Sequence, residues 1–295
     1  MNKSMGTPEN FLNIQDEMGE SPVWEPTEKA LYWIDIAGER IHRYDSGTKK
    51  CETFKAGMPV TAIARRASGG WLTITKAGLA FWDSGTNSFS PVTDPFKDNP
   101  DFFFNDGAVD RQGRILLGSY NAKDLEAAEG SLYLMDGDGK LYEIDTGLKV
   151  PNGIGLSPDG KKLYVTEMFN YKILVYDYDT GKGTVSNRAT FCDIPESAGM
   201  PDGLTVDSQG FVWSAHWNGS RVTRYDPSGK IDMEIPVPAE IVTCIGFGGE
   251  DMDELFITTA WYGLDEKNRE KQPQAGDLFR VKTGVKGLVE PEFLG

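Results

Sequence analysis

Four polar residues, Glu20, Asn105, Asn152 and Asp202, hold the same place in four related stretches of this chain. Three stretches are close repeats: Asn105-Asp106-Gly107-Ala108-Val109-Asp110, Asn152-Gly153-Ile154-Gly155-Leu156-Ser157 and Asp202-Gly203-Leu204-Thr205-Val206-Asp207. The fourth is Gly19-Glu20-Ser21-Pro22-Val23-Trp24. Two carboxylates and two amide oxygens form a hard-oxygen donor set. Such a set suits Ca2+, or Mg2+ and Mn2+, better than a soft thiolate site would. A cation so held can polarise a carbonyl and lower the pKa of a bound water. Asp202 beside it could act as base or nucleophile. The competing reading is that Asn-Gly and Asp-Gly pairs only make turns. It is the weaker one, because the turn in each repeat is supplied further on, by Asp110-x-x-Gly113, Ser157-x-x-Gly160 and Asp207-x-x-Gly210.

The elements that must position these residues are short strands. Each turn is followed by an apolar run, Ile115-Leu116-Leu117, Leu163-Tyr164-Val165 and Phe211-Val212-Trp213, so each repeat reads as strand, turn, strand. The period is 47 residues from Asn105 to Asn152 and 50 from Asn152 to Asp202, which signals a β-propeller. Thr61 and Thr243 complete the register, giving six points and an all-β, six-bladed propeller built as a single domain over residues 1–295. Inner strands of a propeller converge on a central channel, so the four polar residues would share one level of it. Phe11-Leu12-Asn13-Ile14 is expected to pair with the last blade. An Ala/Glu-rich insertion from Asn121 to Glu129 reads as a lid or a short helix, and Gly263 to Ala275 as an exposed loop.

The second strand of each hairpin runs antiparallel to the first, so its end should ring the channel mouth. Asp35, Tyr120, Glu167, His216 with Trp217, and Trp261 with Tyr262 fall there. Aromatic members could stack on a sugar-like ring, although aromatics at strand ends are also ordinary packing. His216 is one of 2 His in the chain. A lone His is more often structural than catalytic, and this one is carried forward as a candidate substrate contact on its position alone.

Composition narrows the function classes. With 45 acidic against 30 basic residues the formal charge is −15, which argues against nucleic acid and anionic membranes as partners. Cys51, Cys192 and Cys244 are scattered without a CxxC spacing, so neither a disulfide framework nor a zinc ribbon is expected. They read as reduced thiols of a cytoplasmic protein. The first ten residues carry no apolar core of a signal peptide, and no apolar run approaches the roughly 20 residues of a membrane span.

Taken in order, Gly19-Glu20-Ser21-Pro22-Val23-Trp24, Phe104-Asn105-Asp106-Gly107, Pro151-Asn152-Gly153-Ile154-Gly155, Pro201-Asp202-Gly203 and Thr283-Gly284-Val285-Lys286-Gly287 resemble the SMP-30/gluconolactonase/luciferin-regenerating enzyme family, over nearly the whole chain. The resemblance implies a six-bladed propeller and a divalent-metal-dependent lactonase acting on a small-molecule lactone. It implies one divalent cation, calcium first and zinc, magnesium or manganese as alternatives, on Glu20, Asn152 and Asp202. Asp202 matches the proposed general base, and Asn105 a substrate-contacting position that can also lie near the metal. A monomer or small homo-oligomer is expected.

Two positions depart from the family's sugar-lactonase pattern. Phe103 stands where Arg is often found, two residues before the Asn, and Lys123 lies near a place that is often acidic. Alternation puts residues 103 and 105 on one side of an extended segment, so Phe103 should face the pocket that Asn105 lines. Tyr120 should lie near it, with His216 as a candidate for the missing donor. The expected substrate is then a less hydroxylated, or differently hydroxylated, lactone. The competing functions are a calcium-dependent organophosphate or aryl ester hydrolase and a non-catalytic calcium-binding propeller. A scaffold has no need of Glu20 and Asp202 on one axis, which counts against the last.

Overall fold

A computed structural model describes residues 7–295. They form six four-stranded antiparallel sheets arranged as a six-bladed propeller. The innermost strands, in blade order, are Gly19–Glu25, Val60–Arg65, Phe102–Val109, Pro151–Leu156, Met200–Val206 and Ile241–Gly248. The second strands are Ala30–Asp35, Trp71–Thr75, Ile115–Asn121, Lys162–Glu167, Val212–Trp217 and Glu254–Ala260. Each expected register residue lies on an innermost strand, and these strands contact their neighbours all the way round the ring.

Alternation along the strands explains why the sheets stack as blades. In Ala30–Asp35, Ala30, Tyr32 and Ile34 pack towards blade 2, while Leu31 and Trp33 pack towards blade 6. Both faces of a middle strand are therefore buried, as its near-continuous apolar run requires. The same division produces six apolar clusters, one at each junction between neighbouring blades. The turns follow the sequence. Gly113, Gly160 and Gly210 donate from N–H to the carbonyls of Asp110, Ser157 and Asp207 at 3.0, 2.8 and 2.9 Å.

Two devices close the ring. Glu9–Leu12 is the outermost strand of blade 6 and pairs with Leu278–Lys282, so the pairing expected of residues 11–14 occurs but starts two residues earlier and leaves Asn13 and Ile14 outside the strand. Its Asn10 donates to Asp277 at 2.6 Å, and Phe11 packs edge-on against Tyr44 of blade 1 and Phe256 of blade 6. Closure of this kind removes an exposed sheet edge. The second device is the C-terminal tail, which crosses the face opposite the mouth. It leaves blade 6 at Lys282, meets Ser208 of blade 5 through the carbonyl of Lys286, and ends with Phe293 buried among blades 2 and 3.

Two segments differ from expectation. The stretch from Gly263 to Ala275 contains a helix, Glu266–Lys271, capped by Asp265, whose carboxylate accepts from Asn268 N–H. It is six residues long, too short to show a helical repeat. The insertion from Asn121 to Glu129 forms turns and no helix. It is tied down beside the mouth by Lys123 to Asp101 at 2.7 Å and Lys149 to Glu126 at 2.5 Å. Among the described residues no helix is long and apolar enough to cross a membrane, and all three cysteines are free.

Candidate metal centre and channel mouth

All six innermost strands break register with their partner at the same level. The breaks fall between Glu20 and Val23, Val60 and Ala62, Phe104 and Gly107, Asn152 and Ile154, Pro201 and Leu204, and Val242 and Ile245. A bulge frees a residue from ladder pairing and re-aims its side chain. Here six bulges in a ring turn one or two residues per blade towards the axis. They also touch each other in sequence round the ring. Thr243 donates to the carbonyl of Gly19 at 2.6 Å, and Ser21 Oγ accepts from Ile63 N–H at 3.1 Å. Asn105 Nδ2 donates to the carbonyl of Pro151 at 3.4 Å, and Asn152 Nδ2 donates to Asp202 Oδ1. Gly203 lies against Cys244 so closely that any Cβ there would collide with it.

The structure brings Glu20, Asn105, Asn152 and Asp202, from blades 1, 3, 4 and 5, to this level, as their shared register required. Asp202 is 2% exposed and Asn152 8% exposed, while Glu20 and Asn105 are half-buried in the channel wall. Asp106 joins them. Because the bulge in blade 3 spans both residues, Asn105 and Asp106 each reach the channel, and the sequence reading named only the first. The signal was present as a doubled polar position, Asn-Asp, where Glu20, Asn152 and Asp202 are followed by Ser or Gly.

Electrostatics set this group apart. Burial pushes the Glu20 carboxyl up to about 8, helped by the charge of Asp106. Burial raises Asp202 well above the ordinary carboxylate range, and the charges of Glu20 and Asp106 add to it. Asp106 is pushed up to about 6 by burial, against the lowering effect of N–H donors from Gly107 and Ile154. Among the described residues no Lys or Arg relieves these three carboxylates. Nor are three acidic, His or Cys side chains gathered into a ready cage. An ion here would rest on two carboxylates and on amide oxygen. Asn152 now turns Nδ2 to Asp202 and Oδ1 to Gly153 N–H at 2.9 Å. Rotating the amide half a turn would present its oxygen to the carboxylates' space. Partly desolvated like charges, lacking a cationic side chain and backed by oxygen donors, fit a hard divalent cation.

At the mouth the sequence-selected residues divide. Phe103 pairs across the strands with Tyr120, their ring centroids 6.4 Å apart, and both are half-buried. Burial raises the Tyr120 phenol, with Tyr262 of the opposite blade adding to the effect. Asp35 and Glu167 spend their oxygens on loop N–H groups, those of Met18 and Lys149 among others. Trp261 carries Arg269 over its ring at 3.8 Å. His216, cross-strand from Pro201, makes no hydrogen bond to the carboxylates. Its Nδ1 lies 3.1 Å from the carbonyl of Ala198, and Nε2 is buried without a partner. Burial lowers its pKa to about 4, and the charged groups that act on it are Arg221 and Glu234 of the outer strands.

Below the carboxylates a narrow cavity of about 80 Å3 runs down the axis. Asp106 and Cys244 line its upper part, and Arg65, Glu290 and Pro291 its lower part, where the tail crosses.

Residues 18–261 match the family model described as SMP-30/Gluconolactonase/LRE-like region. The chain is 37% identical over 292 residues to pentonolactonase XacC of Haloferax volcanii, covering 94% of each chain. It is 34% identical over 288 residues to regucalcin of Xenopus laevis, covering 95% of each. Among solved structures, the calcium-binding protein regucalcin of Agrobacterium tumefaciens superposes with a TM-score of 0.92 at 26% identity, covering 98% of this chain and 97% of that one. A luciferin-regenerating enzyme follows at 0.88 and 26%, covering 96% and 97%.

Proposed function

The chain belongs to the SMP-30/gluconolactonase/LRE-like family, and on that premise we propose that it is a divalent-cation-dependent lactonase opening a sugar-type or related lactone, such as an aldonolactone. The observation that carries this reading is the group of Glu20, Asp106 and Asp202 at one level of the channel with no cationic side chain among them. The pentonolactonase relative supplies the substrate class.

Glu20, Asn152 and Asp202 would hold the cation, with calcium the first choice for an all-oxygen set. When bound, it would polarise the lactone carbonyl and acidify a coordinated water. The chain's own residues do the rest. Asp202, almost wholly buried, takes a proton from the attacking water as the new C–O bond forms at the carbonyl carbon. The ring C–O bond then breaks, Asp202 returns its proton to the departing ring oxygen, and the product is the open hydroxy acid. Asn105, at the top of the channel wall, orients the lactone. Phe103 and Tyr120 offer a face for its ring C–H groups. His216 would touch substrate only if its ring left Ala198.

A second reading has a specific observation in its favour, since the Agrobacterium tumefaciens structure is named a calcium-binding protein. A non-catalytic calcium propeller would bind cation at this site and turn over nothing. An organophosphate or aryl ester hydrolase would share the cation and differ in substrate. A panel of lactones, aryl esters and organophosphates, followed with a pH indicator with and without chelator, separates the three. Chelator-sensitive turnover of lactones supports the proposal. Cation binding without turnover of any of them overturns it.

A further inference from the structure

Lys76, Lys123 and Lys149 stand near the channel mouth, and they are not equivalent. Lys123 and Lys149 are tied to Asp101 and Glu126 at 2.7 and 2.5 Å. Lys76 has no carboxylate partner among the described residues. Its Nζ lies 5.0 Å from the centre of the Phe103 ring, reached across the junction from blade 2 to blade 3. The turn that carries Lys76 is fixed. Thr75 Oγ1 accepts from Ala77 N–H at 3.1 Å and donates to the carbonyl of Gly78 at 2.9 Å. Lys76 N–H donates to the carbonyl of Pro59 at 3.3 Å. The backbone is held while the side chain is exposed. An exposed ammonium is held only weakly by an aromatic ring, so leaving the ring for a ligand oxygen costs little.

Phe103 lies two residues before Asn105 and against Tyr120. The ammonium therefore ends beside the wall that leads to the carboxylates. At the level of the carboxylates blade 2 presents Thr61, whose hydroxyl lies 3.5 Å from the carbonyls of Ile74 and Phe104, and Lys76 adds a charge at the rim. An aromatic wall and a mobile point charge with three donors suit a molecule with an apolar ring face and outlying hydroxyl oxygens. Resting on the lactonase reading, we propose that Lys76, seated on Phe103, is a specificity-determining residue that selects lactones carrying hydroxyl groups beyond the ring carbonyl.

The test is the ratio of kcat/KM on glucono-δ-lactone to kcat/KM on δ-valerolactone, which has the same ring size and no hydroxyls. It is measured for the wild type, Lys76→Met, Lys76→Arg, Phe103→Leu and the Lys76→Met/Phe103→Leu double variant. Loss of a charge-assisted hydrogen bond lowers the ratio about tenfold in Lys76→Met. Lys76→Arg stays within about threefold of the wild type, because the charge and donors remain. Phe103→Leu lowers the ratio by less, and the double variant falls no further than Lys76→Met, since both act through one ammonium. Thermal melts of the variants show that the fold is kept. A Lys76→Met ratio within twofold of the wild type overturns the inference and leaves the lactonase reading standing. A wild type that hydrolyses neither lactone, nor any other in a lactone panel, overturns both.

Discussion

Asn152 donates from its side-chain amide to the carboxylate of Asp202 across the junction between blades 4 and 5. The two residues occupy the same bulge in successive repeats. Their contact is the only hydrogen bond from a side-chain donor to the Asp202 carboxylate among the described residues. In this arrangement the amide N–H stands where two carboxylates and an amide oxygen would meet a cation. The contact therefore marks the place of the proposed ion and the change its arrival would demand.

Asp202→Asn separates the two roles assigned to Asp202. The amide keeps an oxygen donor and loses the base. Hydrolysis should fall by at least about 10²-fold, the low end of what a positioned base contributes. Cation affinity, read by isothermal calorimetry, should fall by less, and circular dichroism should be unchanged. Wild-type turnover of Asp202→Asn at saturating cation would remove the base assignment.

The raised carboxyls give a pH dependence with a definite sign. A carboxyl raised in the folded state favours folding below its unfolded value. As pH climbs from about 4.5, the unfolded chain releases protons that the folded protein retains, so stability from Glu20 is lost up to about 8. Asp106 contributes in the same direction up to about 6. A divalent cation replaces those protons. The rise in Tm on adding calcium chloride should then be larger near pH 8 than near pH 5. His216, lowered to about 4, acts with the opposite sign and titrates both with and without cation, so it cancels in the difference. An equal rise in Tm at both pH values would contradict the account.

The two ring closures should differ in cost. Phe293 is 1% exposed among blades 2 and 3. Phe293→Ala should destabilise the protein by about 3–5 kcal/mol, measured by urea unfolding. Phe11 is half-buried, and Phe11→Ala should cost about 1–1.5 kcal/mol, roughly half the value of full burial. Deleting residues 1–15 removes the whole outer strand of blade 6 and should lower Tm further. An unchanged Tm for that deletion would show that the strand does not close the ring.

Much of this architecture was legible in the chain because a propeller repeats its signals. The Asp/Ser-x-x-Gly turns at Asp110, Ser157 and Asp207 and the polar residue ahead of each strand recur at nearly constant spacing. They led to six blades and to the level shared by Glu20, Asn105, Asn152 and Asp202. What was not legible depends on geometry between repeats. Strict alternation hides Asp106 behind Asn105, and only the bulge between Phe104 and Gly107 lets both face inward. Lys76 reaches Phe103 from another blade, a meeting that no local pattern encodes. The tail from Thr283 to Gly295 has no periodicity, and its path is set by single contacts such as Phe293. Cys244 read as one scattered thiol, yet the sixth bulge sets it against Gly203 at the level of the carboxylates.

The central claim, lactone hydrolysis by a cation held at Glu20, Asn152 and Asp202, is tested most directly by stripping and restoring the cation. Purified protein is treated with chelator, desalted and assayed on an aldonolactone panel with a pH indicator, before and after adding calcium, magnesium, manganese or zinc chloride. The same series is run on Glu20→Gln. Turnover by the wild type should vanish on stripping and return with at least one cation, while Glu20→Gln should need a much higher concentration of that cation. Undiminished lactone turnover by the stripped wild-type protein, with no response to any added cation, would contradict the account.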